Sequence, residues 1–484
     1  MSGSQKTLVM KFGGTSVGST DALTNIVQII RDARSEWPRV IVVTSAMSSV
    51  TNLLLDSATQ AAWGNTASLL DSERALREKH FAPADALIQD EILCSGTKQG
   101  INALILSFVD LCKAIAVLGE ASPRALDAVA SLGERMSVRL LGAIVENVGI
   151  QAKAIDATEF IITNDHYQNA HPDFKVTTEK TRCILNPLLD DGITPITTGF
   201  IGATPDGVTT TLGRGGSDYS AAIIGSVLPA DDVWIWTDVD GVMTTDPRIV
   251  STARTLPEIT YSEIAELAYY GAKVVHPKTI RPVVEAGIGL RICNTFNPSH
   301  PGTRLIANSP EDSKPRNGRQ VVKAVTAIRK QRLVTVEGRG MLGVPGVAAR
   351  AFAAVASTGT SVPLITQASS EQSICFAVPD EAAEPVVDAL EKVFAGELEE
   401  RDIDRIWRTE DVSIITVVGV GMIHTPGVAG QIFSQLGKNN VNVLAIAQGS
   451  SEVSISMVVA AADTENAVKA LHELIVNHPP FPKT

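Results

Sequence analysis

The stretch GRGMLGVPGVAARAFAAVASTGTSVPLITQASSEQSICF begins at Gly338 and returns 81 residues later as GVGMIHTPGVAGQIFSQLGKNNVNVLAIAQGSSEVSISM, beginning at Gly419; 16 of the 39 aligned positions are identical, without a gap. A segment that recurs at a fixed offset has to form the same local structure twice. Each copy reads as a strand, a Pro-Gly-Val turn, a helix, a strand, a Gln-x-Ser-Ser-Glu turn and a strand, which is a small α+β module. Two modules are expected, over about 330–400 and 410–477, within a C-terminal region of residues 320–484. Residues 308–320, NSPEDSKPRNGRQ, are polar, charged and carry two prolines. They read as a linker that closes a first region of residues 1–310.

In the first copy Gly338, Gly340 and Gly343 spell GxGxxG between a strand and a helix, the spacing of a dinucleotide-binding turn. The second copy has His424 in place of the third glycine, and no acidic residue closes the following strand SVPLIT to hold a ribose. No nicotinamide cofactor is expected.

Ahead of the linker the period changes. Residues 8–12 and 40–44 are short β-rich runs, and between them Leu23, Ile26, Val27 and Ile30 recur at helical spacing. Residues 52–148 are mostly helical in pattern, punctuated near Gly64, Gly119 and Pro123. From 150 to 295, runs such as TPITTGFIGA, DVWIWTDV and GIGLRICN alternate with helical stretches such as DYSAAIIGSVL. Alternation of this kind predicts an α/β fold: a mainly parallel central sheet with helices on both faces.

Composition narrows the partners. A net charge of −12 argues against general affinity for nucleic acid or an anionic membrane, both of which are bound by clustered positive charge. The five cysteines, Cys94, Cys112, Cys183, Cys293 and Cys375, are scattered and form no CxxC pair, so a reducing compartment fits. The start, MSGSQKTLVMKF, is too short in its apolar part for a signal peptide, and no apolar run approaches the ~20 residues of a membrane span. A cytoplasmic protein acting on small molecules is expected.

Three segments carry the chemistry. VMKFGGTSVG, residues 9–18, sets a lysine at the end of an apolar run before Gly13 and Gly14; it is not a Walker A loop, because Lys11 precedes the glycines. In TTTLGRGGSDYSAAIIGSVL a strand gives way to Gly213, Arg214, Gly215, Gly216, Ser217 and Asp218 before a helix, where backbone N–H groups favour an anion. IWTDVDGVMTTDPR puts Thr237 and Asp238 at a strand's C-terminal end, where open α/β sheets collect ligands.

With these segments in their order, the chain resembles the aspartate kinases of the amino-acid kinase superfamily. KFGGTSVG, TSAMSSVTNLL, SLGERMS, GFIGA, TTTLGRGGSDYSA, WTDVDGVMTTDPR and GAKVVHPKT follow the family's order, and ITQASSEQSICF and AIAQGSSEVSIS are similar to its paired ACT regulatory modules. The likeness is to the kinase half of the bifunctional aspartate kinase–homoserine dehydrogenases, and no dehydrogenase domain is expected within this chain. The resemblance implies an amino-acid-kinase-type sandwich over residues 1–310 and two ferredoxin-like ACT modules. It implies transfer of the ATP γ-phosphoryl group to the β-carboxylate of L-aspartate, giving 4-phospho-L-aspartate, the first step toward lysine, threonine and methionine.

The roles the resemblance implies are these. Lys11 would contact the transferring phosphoryl group, held by Asp218, for which a helix N-cap role is the rival or companion reading. Gly13, Gly14 and Thr15 would lie near the nucleotide phosphates, and Thr237, Asp238, Arg248 and Lys273 would line the nucleotide. Met243 stands where many relatives carry a tyrosine, which leaves adenine stacking open. Arg214 would grip the α-carboxylate of aspartate, Glu134 would meet its ammonium, and Ser45, Thr51, Phe200 and Ser217 would complete that pocket. His276 reads as structural. Magnesium is expected to travel on the ATP phosphates, so no protein metal ligands are assigned. Gln367 and Gln448 are the candidates for an amino-acid effector, threonine foremost, at ACT modules that pair in a homodimer or higher homo-oligomer.

This assignment is chemically coherent. A carboxylate near its ordinary pKa of ~4 is already anionic at neutral pH and needs no general base. The transfer instead needs alignment and neutralisation of charge spreading over the γ-phosphoryl oxygens. Two other readings stay open: a sibling kinase for glutamate, N-acetylglutamate or a nucleoside monophosphate, and a non-catalytic amino-acid sensor.

Overall fold

The computed structural model describes residues 6–271, 275, 277–307, 321–341, 344–367, 372–449 and 452–476. The chain forms two compact units. One comprises residues 1–242, 257–259 and 275–307; the other comprises 243–256, 260–274 and 308–484. Both are interleaved in sequence, whereas the expected regions, 1–310 and 320–484, are contiguous. The expected linker, Lys273, His276 and the hearts of both Gln-x-Ser-Ser-Glu turns lie outside the described residues.

The first unit is built on β1 (Thr7–Phe12), α1 (Thr20–Glu36), β2 (Arg39–Thr44), α2 (Val50–Ala62), α3 (Leu69–Leu87), α4 (Glu91–Leu118), α5 (Pro123–Asn147), β3 (Ala152–Ile155), α6 (Phe174–Asp190), β4 (Thr194–Thr198), β5 (Ile201–Ala203), β6 (Thr209–Thr211), α7 (Gly216–Val227) and β7 (Asp232–Thr237). After β8 (Glu258–Thr260) and α8 (Tyr261–Tyr269), the chain adds α9 (Pro277–Ala286), β9 (Gly289–Asn294) and β10 (Thr303–Ile306). Eight strands form one sheet in the order β3-β4-β2-β1-β7-β9-β10-β8. β1 pairs in parallel with β2 and β7, β2 with β4, and β7 with β9, while β10 runs antiparallel to β9. Every residue of β1 and β4 is buried, which requires cover on both faces. The run TPITTGFIGA splits: β5 leaves the main sheet and pairs antiparallel with β6 as a separate ribbon.

Local chemistry sets the helix ends. Ser19 caps α1 by accepting from Ala22 N, and Trp37 followed by Pro38 ends it. Ser122 caps α5 with Pro123 in its first turn, and α5 is buried nearly all round, as a helix in the middle of a core must be. Each large apolar side chain so buried contributes about 1.5–3 kcal/mol. α4, held between Asp90 at its start and Gly119 at its end, corrects the reading that no segment has the length and apolarity to cross a membrane. Ile101, Ile105, Phe108, Val109, Cys112 and Ile115 form its buried face, and it packs against α2, α3 and α5.

The second unit carries the repeat. Its strands are β11 (Ala324–Glu337), β12 (Leu364–Gln367), β13 (Ser373–Pro379), β14 (Arg405–Arg408), β15 (Val412–Val418), β16 (Ala445–Gln448) and β17 (Ser454–Ala460); its main helices are α10 (Val347–Ser357), α11 (Ala383–Val393), α12 (Ala395–Glu400), α13 (Val428–Lys438) and α14 (Thr464–Val476). The strands form an antiparallel sheet in the order β12-β13-β11-β15-β17-β16, with β14 also on β11. β11 serves both copies. Its first half pairs with β15, and after a register shift between Ile328 and Gln331 its second half pairs with β13 and β14. The second module is therefore completed by a strand from before the first, which a contiguous reading of 410–477 leaves out. The first two glycines of GxGxxG serve packing: a Cβ on Gly338 would meet Asp402 O at 2.3 Å, and one on Gly340 would meet Asp402 Cα at 2.5 Å.

Within the second unit, residues 243–256 and 260–271 are fastened to that second module. Thr244 O accepts from Val325 N (2.8 Å), Thr244 Oγ1 bonds His472 Nε2 (2.9 Å), and Ile249 and Val250 pack on the module's core. Glu263, fully buried, accepts from Lys323 Nζ (2.8 Å), Val420 N (2.8 Å) and Thr260 N (2.9 Å). A buried carboxylate with this many donors is satisfied rather than stranded.

Candidate active site

Lys11 is the one charged residue of β1, only 9% exposed among Leu8, Val9, Met10 and Phe12. A buried ammonium needs an anion. Asp218 in the first turn of α7 supplies it, with Oδ1 2.5 Å from Lys11 Nζ, a charge contact rather than an aligned hydrogen bond. The helix N-cap itself is Gly215, with φ 71°, so Asp218 does not cap and its carboxylate is free to face the lysine.

Both residues line a cavity of about 540 Å³ in the first unit. Its wall brings together Lys11, Gly14, Ser45, Thr51, Glu134, Phe200, Arg214, Ser217 and Asp218, nine of the residues singled out in the sequence. Parallel strands deliver them. Phe12, Thr44 and Thr198 stand level in neighbouring strands, so the chain leaves β1, β2 and β4 on one edge with Gly13, Ser45 and Gly199. Gly199 permits a close approach, because a Cβ there would stand 2.6 Å from Ser217 Cβ. The next residue, Phe200, has φ 66° and takes its amide to Ser220 Oγ at 3.0 Å.

Glu134 lies on α5, 3% exposed. Its Oε1 accepts from Ala46 N at 3.2 Å, and Oε2 has no hydrogen-bond partner among the described residues. Burial pushes the carboxyl up to about 8, partly offset by hydrogen bonds from backbone amides. Arg214 is exposed where it lines the cavity. The wall thus offers two cations, Lys11 and Arg214, and an unpaired buried acid, Glu134, a set that matches a zwitterion carrying a second anionic group.

The expected nucleotide residues are less gathered. Gly13 N donates to Trp236 O at 3.2 Å, so that amide is spent inside the fold; Thr15 is exposed and does not line the cavity. Thr237 ends β7 and its hydroxyl donates to the exposed Asp238 at 3.2 Å. Met243 and Arg248 belong to the second unit. There Met243 Sδ accepts from Thr255 Oγ1 at 3.4 Å, and the exposed Arg248 pairs with Asp246 at 2.7 Å. Among the described residues no group of three or more His, Cys, Asp or Glu is arranged to hold a metal.

Sequence reasoning missed Asn52, Gln168 and Asp127, which also line the cavity. Asp127 was legible in principle: with Ala130 and Glu134 it falls at i, i+3 and i+7 on one face of a helix. In the second unit, Gln367 ends β12 and lines a separate cavity of about 370 Å³ with Met341, Val344, Pro345, Gly346 and Ile374. Gln448 ends β16 in the other module and is exposed.

Comparison with known proteins places two kinds of domain on the chain, and the first includes residues 243–256 and 260–274 of the second unit. The amino acid kinase family model matches residues 6–294, and the ACT domain model matches 334–394 and 415–474. The chain is 39% identical over 465 residues to the bifunctional aspartokinase/homoserine dehydrogenase 2, chloroplastic, of Arabidopsis thaliana, covering 96% of this chain and 50% of that protein. It spans about half the length of such curated relatives. It is 33% identical over 473 residues to aspartokinase 3, chloroplastic, of the same plant, covering 96% and 81%. Among solved structures it is similar to E. coli aspartokinase III in complex with aspartate and ADP (R-state), with a TM-score of 0.78, 31% identity and coverage of 97% and 100%. With the first family model spanning more than half its length and a full-length aspartokinase matched across four-fifths of that relative, the chain belongs to the amino acid kinase family, among the aspartokinases with paired ACT domains.

Proposed function

We propose that this chain transfers the γ-phosphoryl group of Mg-ATP to the β-carboxylate of L-aspartate, with residues 1–310 as the catalytic region and 320–484 as the regulatory one. The observation that carries this reading is the single cavity that joins Lys11–Asp218 to Arg214 and the unpaired Glu134. The similar E. coli aspartokinase III, seen with aspartate and ADP, supports the same ligands here.

The side-chain carboxylate attacks as an anion, so these residues orient and neutralise rather than move a proton. Arg214 holds the α-carboxylate through a two-pronged guanidinium contact, and Glu134 receives the ammonium on Oε2. Ser45, Thr51, Phe200 and Ser217 shape the rest of the pocket. Lys11, aimed by Asp218, meets the charge that develops on the transferring group. Gly13, Gly14, Thr15, Thr237 and Asp238 of the first unit flank the nucleotide. Magnesium, carried by the ATP phosphates, supplies additional neutralisation.

The ACT modules are proposed to bind an end-product amino acid, threonine foremost, and to pair two copies of the chain. Gln367 beside the start of α10 supports an effector site, since Gly346 caps that helix without a side chain and leaves its amides to a carboxylate. An E. coli aspartokinase III structure in complex with lysine and aspartate (T-state) makes lysine the competing effector. Initial rates with aspartate and Mg-ATP, repeated with threonine, lysine, methionine and S-adenosylmethionine, test the whole proposal. Arg214→Ala is expected to raise the KM for aspartate far more than that for ATP; equal effects on both relocate Arg214. A chain inert toward aspartate but active on glutamate or a nucleoside monophosphate overturns the assignment.

A further inference from the structure

Asp127 is a carboxylate that the reaction does not call for. It is 1% exposed, and among the described residues it has no ion-pair partner. Four contacts satisfy it. Gln168 N lies 3.1 and 3.0 Å from its two oxygens, Thr211 N donates to Oδ2 at 2.9 Å, and Thr211 Oγ1 donates to Oδ1 at 2.8 Å. Burial raises its pKa, and these hydrogen bonds offset part of that rise.

The donors belong to two otherwise separate segments. Gln168, at φ 67°, sits in the loop before α6, and Thr211 ends β6 three residues ahead of Arg214. Ala170 N donates to Thr211 O at 2.9 Å, and Lys278 Nζ bridges Asn169 Oδ1 at 2.8 Å and Leu212 O at 3.4 Å. Asp127 is the hub at which α5, that loop and the strand leading to Arg214 meet. Asp127, Gln168, Thr211 and Arg214 all line the one cavity.

We propose that Asp127 is a positioning residue for acceptor recognition: its carboxylate locks the Thr211–Arg214 turn so that the arginine fork meets the acceptor's α-carboxylate. This rests on the assignment of Arg214 to that carboxylate. Asparagine is nearly isosteric but sets an NH2 against backbone donors, so Asp127→Asn should release the turn without emptying the core. Thr211→Val removes one donor only and should act in the same direction, more weakly.

The experiment is a double-substitution cycle on the full chain, with kcat and both Michaelis constants measured for wild type, Asp127→Asn, Thr211→Val, Arg214→Ala and Asp127→Asn/Arg214→Ala. Asp127→Asn is expected to raise the KM for aspartate at least tenfold, with the KM for ATP within twofold of wild type. In the Arg214→Ala background the same change should add less than twofold, because its effect passes through that arginine. If Asp127→Asn does not fold, Thr211→Val and Thr211→Val/Arg214→Ala decide by the same criterion. A purely structural role would lower kcat and raise both constants together, and would add fully to Arg214→Ala; either result overturns the inference. A wild type inert toward aspartate overturns the functional reading as well, whereas an active wild type with an unchanged Asp127→Asn overturns this inference alone.

Discussion

Lys11 Nζ stands 2.5 Å from Asp218 Oδ1, a cation from the buried strand β1 met by an anion on the first turn of α7. The pair converts a costly buried ammonium into an aimed one. Lys11→Ala and Asp218→Ala should each lower turnover by about 10²-fold or more, because what is lost is charge stabilisation in the transition state. Circular dichroism should show that the fold survives in both, with a lowered melting temperature where one charge of the largely buried pair is left without its partner. Near-normal turnover in the lysine variant would sink the proposed mechanism.

Glu134 makes acceptor binding depend on pH. With the carboxyl pushed up to about 8 by burial, the empty site is protonated at pH 6.5 and must lose that proton to receive an ammonium. Aspartate affinity should therefore climb between pH 6.5 and 8, by at most about tenfold per pH unit, and then level. Calorimetry in buffers of different ionisation enthalpy should register proton release. For stability, an acid raised in the folded state costs stability as pH climbs from its ordinary value toward 8. Unliganded Glu134→Gln should lose less stability than wild type across that window while binding aspartate more weakly. A pH-independent affinity contradicts the assignment.

His80 gives the opposite slope. It is fully buried on α3, with Nδ1 2.7 Å from Leu76 O and no partner for Nε2 among the described residues. Burial pushes its pKa down to about 4 from an ordinary 6.5. It stays neutral in the fold while the unfolded chain takes up a proton, so full stability holds above 6.5 and drains as pH falls toward 4, at about 1.4 kcal/mol per pH unit. Urea midpoints of wild type and His80→Leu, followed from pH 7 to 4.5, should diverge in slope. Parallel lines mean that His80 does not report the acid limb.

The first unit was legible because its signals are local. Lys11 follows a run too apolar for a surface strand, and the glycines around Arg214 mark a turn into a helix; both survive intact at the cavity. What sequence could not convey are meetings between distant segments. Asp127 shares a helix face with Glu134 in the sequence, but only the fold brings Gln168 and Thr211 onto its carboxylate. Glu263 satisfies a capping box that any helix might carry, and only the fold adds Lys323 and Val420 to it. The repeat fixed two modules by their identity, but β11 had to be seen to show that one strand serves both. Gly338 and Gly340 fit a nucleotide-binding spacing because close backbone packing and phosphate approach make the same demand, the absence of a Cβ.

Regulation is tested at Gln367. Its side chain stands at the end of β12 in a cavity of about 370 Å³ with Pro345, Gly346 and the first residues of α10. An α-carboxylate at that helix start would meet uncapped amides, and an amide side chain beside it can both donate to the carboxylate and accept from the ammonium. Gln448 holds the matching register in the second copy, at the end of β16. Useful inhibition needs only about 1–3 kcal/mol of differential affinity between active and inactive states. Removing one such hydrogen-bonding group costs about that much, so Gln367→Ala should shift half-maximal inhibition by threonine about tenfold or abolish it, with turnover in the absence of effector unchanged. Gln448→Ala should act likewise if both copies bind. Inhibition by threonine that survives both changes would empty these positions of the role, and inhibition by lysine in place of threonine would keep the site while changing its ligand.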